Sequence, residues 1–201
     1  MSWFNHSGAA FKTSDGNKTW HSSPIPPTVI CPGDCNQRPV GYALQWISCQ
    51  SAQSCRAGGD TFIGSHEGYS SAIVRTDNGG TSWTLVSSDI DANIGTCPTT
   101  SICTGIYYLP QSPGYGPDLM RSTNGGSTWS RKSIKPVVTS IACTGKYFCE
   151  LAGPAGTLAM TINTKVFVQK SPTTQDLNAV ACPRMNACFA VGAHGTIVAR
   201  T

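Results

Sequence analysis

Ten cysteines stand in a chain of 201 residues. Eight of them form four pairs with the same internal spacing: Cys49 and Cys55, Cys97 and Cys103, Cys143 and Cys149, Cys182 and Cys188. The other two, Cys31 and Cys35, bracket Pro-Gly-Asp. Thiols at this density can hold zinc, attack a substrate or pair with one another. Zinc sites use tighter cysteine pairs that converge in fours, whereas these pairs belong to separate repeats. A nucleophilic thiol is disfavoured because every cysteine has a repeat-mate. Each pair flanks a short turn between two strand-like runs, where cross-strand Cβ atoms come within disulfide reach. The expected bonds are Cys49–Cys55, Cys97–Cys103, Cys143–Cys149 and Cys182–Cys188, with Cys31–Cys35 as a fifth. No metal and no cofactor are expected.

The acids are few, ten in all. Glycoside hydrolysis needs two carboxylates placed across one bond. Asp60, Glu67 and Asp118 are the acids of the longer loops, and Glu150 stands at the start of a strand. His194 lies in a short loop with no evident Ser or Asp partner. The expectation is that the protein is not an enzyme. The net charge of +4 is spread without a basic run, which disfavours a nucleic-acid partner. No stretch is long and apolar enough to span a membrane.

The elements that position these residues are repeats. Arg75-Thr-Asp-Asn-Gly-Gly-Thr-Ser-Trp83 recurs as Arg121-Ser-Thr-Asn-Gly-Gly-Ser-Thr-Trp129. A weaker copy is Lys12-Thr-Ser-Asp-Gly-Asn-Lys-Thr-Trp20, and a decayed one runs from Met160 to Phe167. A further copy would begin at Arg200-Thr201. Asn-Gly-Gly is turn chemistry, because glycine takes positive φ freely and asparagine tolerates it. Each turn joins two strand-like runs, a strong hairpin signal. Lys12, Arg75, Arg121 and Arg200 precede the box Ser or Thr and read as structural, since a site residue does not recur in every repeat.

The cysteine pairs and the boxes alternate. Each unit reads as strand A, cysteine turn, strand B, loop, strand C, box turn, strand D, at about 40–45 residues per unit, which is a propeller blade. The expected fold is all-β: a single small β-propeller over 1–201, of four-stranded antiparallel blades. Repeat units fall at about 44–88, 92–133, 137–170 and 177–201. Five blades, two of them incomplete, are expected, with four blades or a truncated larger ring as alternatives. Residues 22–43 are a Pro- and Cys-rich insertion. A last blade lacking strand D would leave an unpaired edge. That edge could be capped by the N-terminal strand, by a missing segment or by another chain.

The boxes resemble the Asp-box (BNR) motif of sialidase-like β-propellers. The motif maps onto Thr76, Asn78, Gly80, Ser82 and Trp83, and onto Ser122, Asn124, Gly126, Thr128 and Trp129. The N-terminal copy keeps Thr13, Asp15, Thr19 and Trp20 but has Asn17 where glycine is usual. The resemblance implies structural roles for these residues, in turn formation and blade packing. A sialidase of this superfamily would need an early Arg-Ile-Pro motif, and Pro24-Ile-Pro-Pro27 lacks the arginine. The chain is similar to photosystem assembly-factor propellers and to Cys-bearing BNR-like repeat proteins of bacterial secretomes.

Departures from the repeat mark the candidate surface. In an up-and-down blade the A–B and C–D turns share one end, and the B–C and D–A connections share the other. The B–C loop is long in the first two units, 59–70 and 107–118, and short in the last two. Binding residues concentrate on loops held by a rigid scaffold. The candidate contact surface is His66, Glu67, Tyr69, Tyr107, Tyr108, Tyr115 and Asp118. Tyr-, Gly- and Ser-rich loops suit protein or sugar contacts. The expectation is a non-catalytic protein-binding scaffold, possessing a protein partner and serving as a subunit of a larger assembly. The alternative is a carbohydrate-binding or glycosidase-like protein, with Tyr69, Tyr107 and Tyr115 stacking on a glycan. Cysteine density points to an extracytoplasmic place, periplasmic, outer-envelope or secreted, although Met1-Ser-Trp-Phe-Asn-His-Ser lacks the apolar core of a signal peptide.

Overall fold

The structure, a computed structural model, describes residues 9–25, 41–62, 69–88, 92–108 and 116–200, with backbone alone at 41–42, 61–62 and 69–70. Cys31–Cys35 lies outside the described residues. The chain divides into two compact units, Met1–Asp91 and Ala92–Thr201.

In the first unit, β1 (Ala9–Lys12) and β2 (His21–Pro24) form a two-stranded ribbon. A four-stranded sheet follows in sequence order: β3 (Gly41–Cys49), β4 (Cys55–Phe62), β5 (Tyr69–Thr76) and β6 (Thr84–Ser87). The expected 22–43 insertion is shorter than that at both ends. β2 takes up its first residues, and β3 begins at Gly41. Among the described residues β2 pairs with β1 alone, so no second ladder there needs the N–H that Pro24 lacks. Ile25, Ala57, Val74 and Trp83 form the core of this unit, with Ala10 of the ribbon packed on it.

The second unit holds three sheets, all antiparallel in sequence order. The first is β7 (Ile94–Thr96), β8 (Cys103–Tyr107), β9 (Asp118–Ser122) and β10 (Ser130–Ser133). The second is β11 (Ser140–Cys143), β12 (Phe148–Ala152), β13 (Leu158–Ile162) and β14 (Lys165–Val168). The third has three strands, β15 (Leu177–Arg184), β16 (Ala187–Gly192) and β17 (Ile197–Arg200). These sheets stack face on face. Ile106 and Leu119 pack on Ile141, Leu151 and Ala159, and Ala152 and Leu158 pack on Leu177, Val180 and Ala190.

Four expected disulfides are formed: Cys49–Cys55, Cys97–Cys103, Cys143–Cys149 and Cys182–Cys188, with Cα–Cα distances of 3.9–4.1 Å. Each closes a short loop, worth about 2 kcal/mol in the chain-entropy picture. The second cysteine of each pair also sets the register of strand C. Cys55 lies opposite Thr76, Cys103 opposite Ser122, Cys149 opposite Thr161 and Cys188 opposite Arg200. Arg200 therefore occupies the box Ser/Thr position itself, one place later than the sequence pattern suggests.

The full boxes share one hydrogen-bond plan. Thr76 Oγ1 donates to Asn78 Oδ1 (2.9 Å) and accepts from the Gly80 amide (2.9 Å). Asn78 Oδ1 also accepts from the Ser82 amide (3.0 Å), while Asn78 Nδ2 donates to Ser82 Oγ (2.8 Å). Ser122, Asn124, Gly126 and Thr128 repeat each of these bonds at 2.8–2.9 Å. In the first copy, Asp15 replaces asparagine and the last bond reverses: Thr19 Oγ1 donates to Asp15 Oδ2 (2.5 Å). The turn needs a left-handed residue, supplied by Gly80 (φ 82°) and Gly126 (φ 97°) and, in the first copy, by Asn17 (φ 74°).

Box tryptophans do not all pack alike. Trp83 is 4% exposed. Trp129 is half-buried and donates its indole N–H to Gly126 O (2.9 Å). Trp20 stays 56% exposed, because a two-stranded ribbon offers no face wide enough to enclose it. The decayed copy is not a box at all. Ile162 pairs with Lys165, so Asn163-Thr164 is a two-residue turn with Asn163 at φ 59°. Thr161 Oγ1 is thereby left buried without a hydrogen-bond partner, since the turn amide that Thr76 and Ser122 use is gone.

That contrast is measurable. A buried orphan hydroxyl costs about 1–3 kcal/mol, so Thr161→Val should raise stability by about 1 kcal/mol. Thr76→Val should lower it by a similar amount or more, because it strands the Gly80 amide. Denaturant midpoints of the two variants should move in opposite directions; movement in the same direction would contradict the assignment.

Candidate functional site

Strand alternation sorts the connections into two ends within each sheet. The cysteine and box turns lie at one end and are clasped together. The Gly79 amide donates to Gln53 O (2.8 Å), the Gly125 amide to Ser101 O (2.7 Å) and the Asn163 amide to Tyr147 O (2.8 Å). The β4–β5, β8–β9, β12–β13 and β16–β17 connections lie at the other end, with the links from one sheet to the next. The long loops are tighter than 59–70 and 107–118, since strands run to Phe62, from Tyr69, to Tyr107 and from Asp118.

The two short connections show how this end is built. Pro154–Gly156 and Ala193–Gly195 each make a 3-10 turn with a left-handed central residue, Ala155 (φ 50°) and His194 (φ 55°). The link at Asp176 binds both turns. Its carboxylate accepts from the Ala155 amide (2.8 Å), and its carbonyl accepts from the Ala193 amide (2.8 Å). Gly153 and Gly192 let these links pass close: a Cβ there would collide with Val137 O and Asp176 O respectively. His194 Nδ1 is 2.8 Å from Gln175 Oε1.

The sequence-designated surface residues are distributed unevenly. Tyr107 ends β8 opposite Asp118, and Arg131 stacks its guanidinium 4.5 Å from the Tyr107 ring centroid. Asp118 is half-buried. Tyr108 packs against the Ile106–Leu119–Ile134 core, with its backbone N–H donating to Asn93 Oδ1 (3.1 Å). Burial pushes the Tyr108 hydroxyl pKa up, while the nearby Val138 backbone pulls it down. Tyr69 opens β5. His66, Glu67 and Tyr115 lie outside the described residues. Asp60, on β4, accepts a hydrogen bond from Gln45 Nε2 (2.7 Å).

A second cluster was not singled out in the sequence. Glu150 stands in the middle of β12, not at its start, and is 3% exposed. It accepts from Gln169 Nε2 and pairs through Oε2 with Arg200 Nη1 at 3.1 Å. The Arg200 guanidinium also lies 5.5 Å from the Phe148 ring centroid. A pocket of about 320 Å³ opens beside these groups, walled by Leu158, Val180 and Lys170, with Glu150 as its one carboxylate among the described residues. The signal was positional. In the first three of the four cysteine pairs the residue after the second cysteine is buried, as Arg56, Thr104 and Glu150, whereas Phe189 after Cys188 is exposed. Arg56 Nη1 donates to Gln50 Oε1 (3.0 Å), and burial lowers its pKa against the opposing effect of Asp77.

Up-and-down four-stranded blades, stacked on their apolar faces and stapled by cysteine turns, define the fold as a β-propeller. No family model matches the chain, and no curated protein matches it. Solved structures do. YCF48 bound to D1 peptide is 12% identical with a TM-score of 0.57, over 96% of this chain and 58% of that one. YCF48 from Cyanidioschyzon merolae is 14% identical with a TM-score of 0.60, over 97% of this chain and 64% of that one. The chain thus spans about three fifths of the length of these structures, and the likeness is one of fold. Among the described residues, no helix is long and apolar enough to cross a membrane.

Glu150 carries a pH signature. Burial raises its pKa above the ordinary 4.5, against the lowering by Gln169 and Arg200. A carboxyl whose folded pKa is raised favours folding when protonated. Its contribution is full below the unfolded value and is lost as pH rises through the folded one. Stability of the wild-type chain should therefore fall from 4.5 towards neutrality, and Glu150→Gln should flatten that fall. Asp15 does not confuse the window. Thr19, through its hydroxyl and then its amide, holds Asp15 well below 3.8, so its loss comes at lower pH. An unchanged slope in Glu150→Gln would rule the assignment out.

Proposed function

We propose that this protein is a non-catalytic interaction propeller of the secreted or cell-envelope space. It binds another protein through the 63–68 and 109–115 connections and works as part of a larger complex. The observation that carries this reading is the unequal use of the two blade ends. At one end, turn amides and hydroxyls are consumed by the boxes and by the clasp to the cysteine turns. At the other, the β4–β5 and β8–β9 connections are long and carry Gly, His66, Glu67 and Tyr115 between strands. Loops over a rigid scaffold are the usual place for recognition. The YCF48 structure with D1 peptide lends support, since it shows a chain of the same fold carrying a peptide.

The boxes are read as Asp boxes of the BNR type, by the Ser/Thr–Asn/Asp–Gly–Ser/Thr bonding plan described above. Four disulfides favour an oxidising compartment. The protein reading is preferred to the glycan reading because Arg131 already covers one face of the Tyr107 ring.

The test is affinity capture from an envelope extract, with the intact chain and with a variant whose 63–68 and 109–115 loops are cut to short Gly-rich turns. A partner held by the intact chain and lost by the variant supports the reading. Equal recovery of the same partner by both would remove the loop face from the mechanism. Capture of glycans on an array, with no protein bound, would favour the carbohydrate alternative.

A further inference from the structure

The two full boxes carry a reactive dipeptide. Asn78-Gly79 and Asn124-Gly125 are the two Asn-Gly pairs of the chain. Asparagine before glycine is prone to lose ammonia, because no side chain hinders attack of the next backbone nitrogen on the side-chain carbonyl carbon. Asn78 and Asn124 are exposed, so water reaches them, whereas Gly79 and Gly125 are buried. A labile pair at the surface is therefore held by whatever restrains its glycine nitrogen.

The restraints are specific. The attacking atom is occupied: the Gly79 amide donates to Gln53 O (2.8 Å) and the Gly125 amide to Ser101 O (2.7 Å). The group under attack is pinned on both sides. Asn78 Oδ1 accepts from Thr76 Oγ1 and the Ser82 amide, and its Nδ2 donates to Ser82 Oγ. Asn124 is held the same way by Ser122 and Thr128. Ring closure needs the glycine nitrogen to leave its acceptor and the side chain to swing onto it. The closed clasp and box forbid both. Gln53 and Ser101 sit inside the short loops closed by Cys49–Cys55 and Cys97–Cys103. Cutting a disulfide returns freedom to its loop, and the carbonyl that holds the glycine amide loses its fixed place.

We propose that Asn78 and Asn124 are latent deamidation sites, each guarded by the disulfide of its own blade. In the second sheet, a dithiol reductant exchanges with Cys97–Cys103, leaving two thiols and carrying the disulfide away on itself. The clasp opens. The Gly125 nitrogen gives up its proton and bonds to Cγ of Asn124, the Cγ–Nδ2 bond breaks, and Nδ2 leaves with a proton as ammonia. Water then opens the succinimide ring at one of its two carbonyls. One opening gives aspartate on the normal main chain. The other gives isoaspartate, with the main chain rerouted through the side-chain carbon.

The first box shows how the two products differ. Asp15 stands at the asparagine position. Its Oδ1 accepts from Thr13 Oγ1 (2.8 Å) and the Thr19 amide (3.0 Å), and Thr19 Oγ1 turns to donate to Oδ2 (2.5 Å). An aspartate product thus re-forms the turn on reoxidation. Isoaspartate lengthens the main chain by one carbon and carries the glycine amide out of the clasp. Reduction, reversible in itself, becomes permanent at that box. The inference concerns the turn end alone and does not depend on the protein-binding reading.

Peptide mapping by mass spectrometry, after incubation at mildly alkaline pH, reads both asparagines in one sample. In the oxidised folded chain each should deamidate about tenfold or more slowly than in the same chain unfolded by guanidinium, since reaction proceeds only from the open form. Across a dithiothreitol series, Asn124 loss should track the fraction of Cys97 that can be alkylated, and Asn78 loss the fraction of Cys49. Cys97→Ser with Cys103→Ser should release Asn124 and spare Asn78. Cys143→Ser with Cys149→Ser, in a blade without Asn-Gly, should release neither. The alkylation series uses the unaltered chain, so it decides the matter where a variant fails to fold. Equal rates in the folded and unfolded chains overturn the proposal. So does deamidation that ignores which disulfide is cut, since the guard would then be the fold as a whole.

Discussion

In each complete blade, beyond the ladder that pairs strand B with strand C, one backbone hydrogen bond clasps the C–D turn to the A–B turn. It runs from the C–D turn to a carbonyl inside the cysteine turn: Gly79 to Gln53, Gly125 to Ser101, Asn163 to Tyr147. The carbonyl always belongs to the fourth residue after the first cysteine. The box exists to present that amide, by bending the chain around Asn78 or Asn124 until the next N–H points at the cysteine turn. The third blade proves the order of importance. Its box has decayed to a two-residue turn, yet the left-handed Asn163 still delivers the amide. The disulfide then holds the acceptor loop in place. Everything at the opposite end of the blade, including the long loops, inherits its position from this closed end.

Between blades, the ties are apolar faces supplemented by long cations. Lys12 reaches Gly79 O, Arg121 Nη2 reaches Lys146 O (2.7 Å) and Lys132 Nζ reaches Thr164 O (3.1 Å), each on a following sheet. Arg200 breaks the pattern. Standing one position later in register, it turns back to Glu150 on the preceding sheet. A buried carboxylate is tolerated there because guanidinium and carboxamide both answer it. Removing either would leave a charge in an apolar seam.

Most of the architecture was legible because the repeat writes each element several times. The Cys pairs, the Asn-Gly-Gly turns and the alternating apolar runs all indicate the same blade, and Cys49–Cys55 through Cys182–Cys188 pair as their spacing implies. Register was harder. Arg200 looks like the cation before a box, but the β16–β17 ladder puts it on the box position, and one residue in a strand exchanges the two faces. The site was least legible. Tyr108 is indistinguishable from Tyr107 by residue type, and only packing shows that one enters the core while the other meets Arg131. Glu150 is placed by the sequence at the start of a strand and given no site role, because a lone acid in a strand has no motif. Its burial follows from a face position that only the sheet register reveals.

Every disulfide in the described chain begins and ends inside one repeat. Among the described residues no disulfide links blade to blade. Each pair can oxidise as soon as its own hairpin has emerged, and the correct partner is always the nearest cysteine. The same arrangement makes the blade a genetically portable unit. Duplicating or deleting one repeat adds or removes two cysteines together, and no thiol is stranded elsewhere. A propeller stapled in this way can change its blade number in a single recombination event without rewriting its redox chemistry.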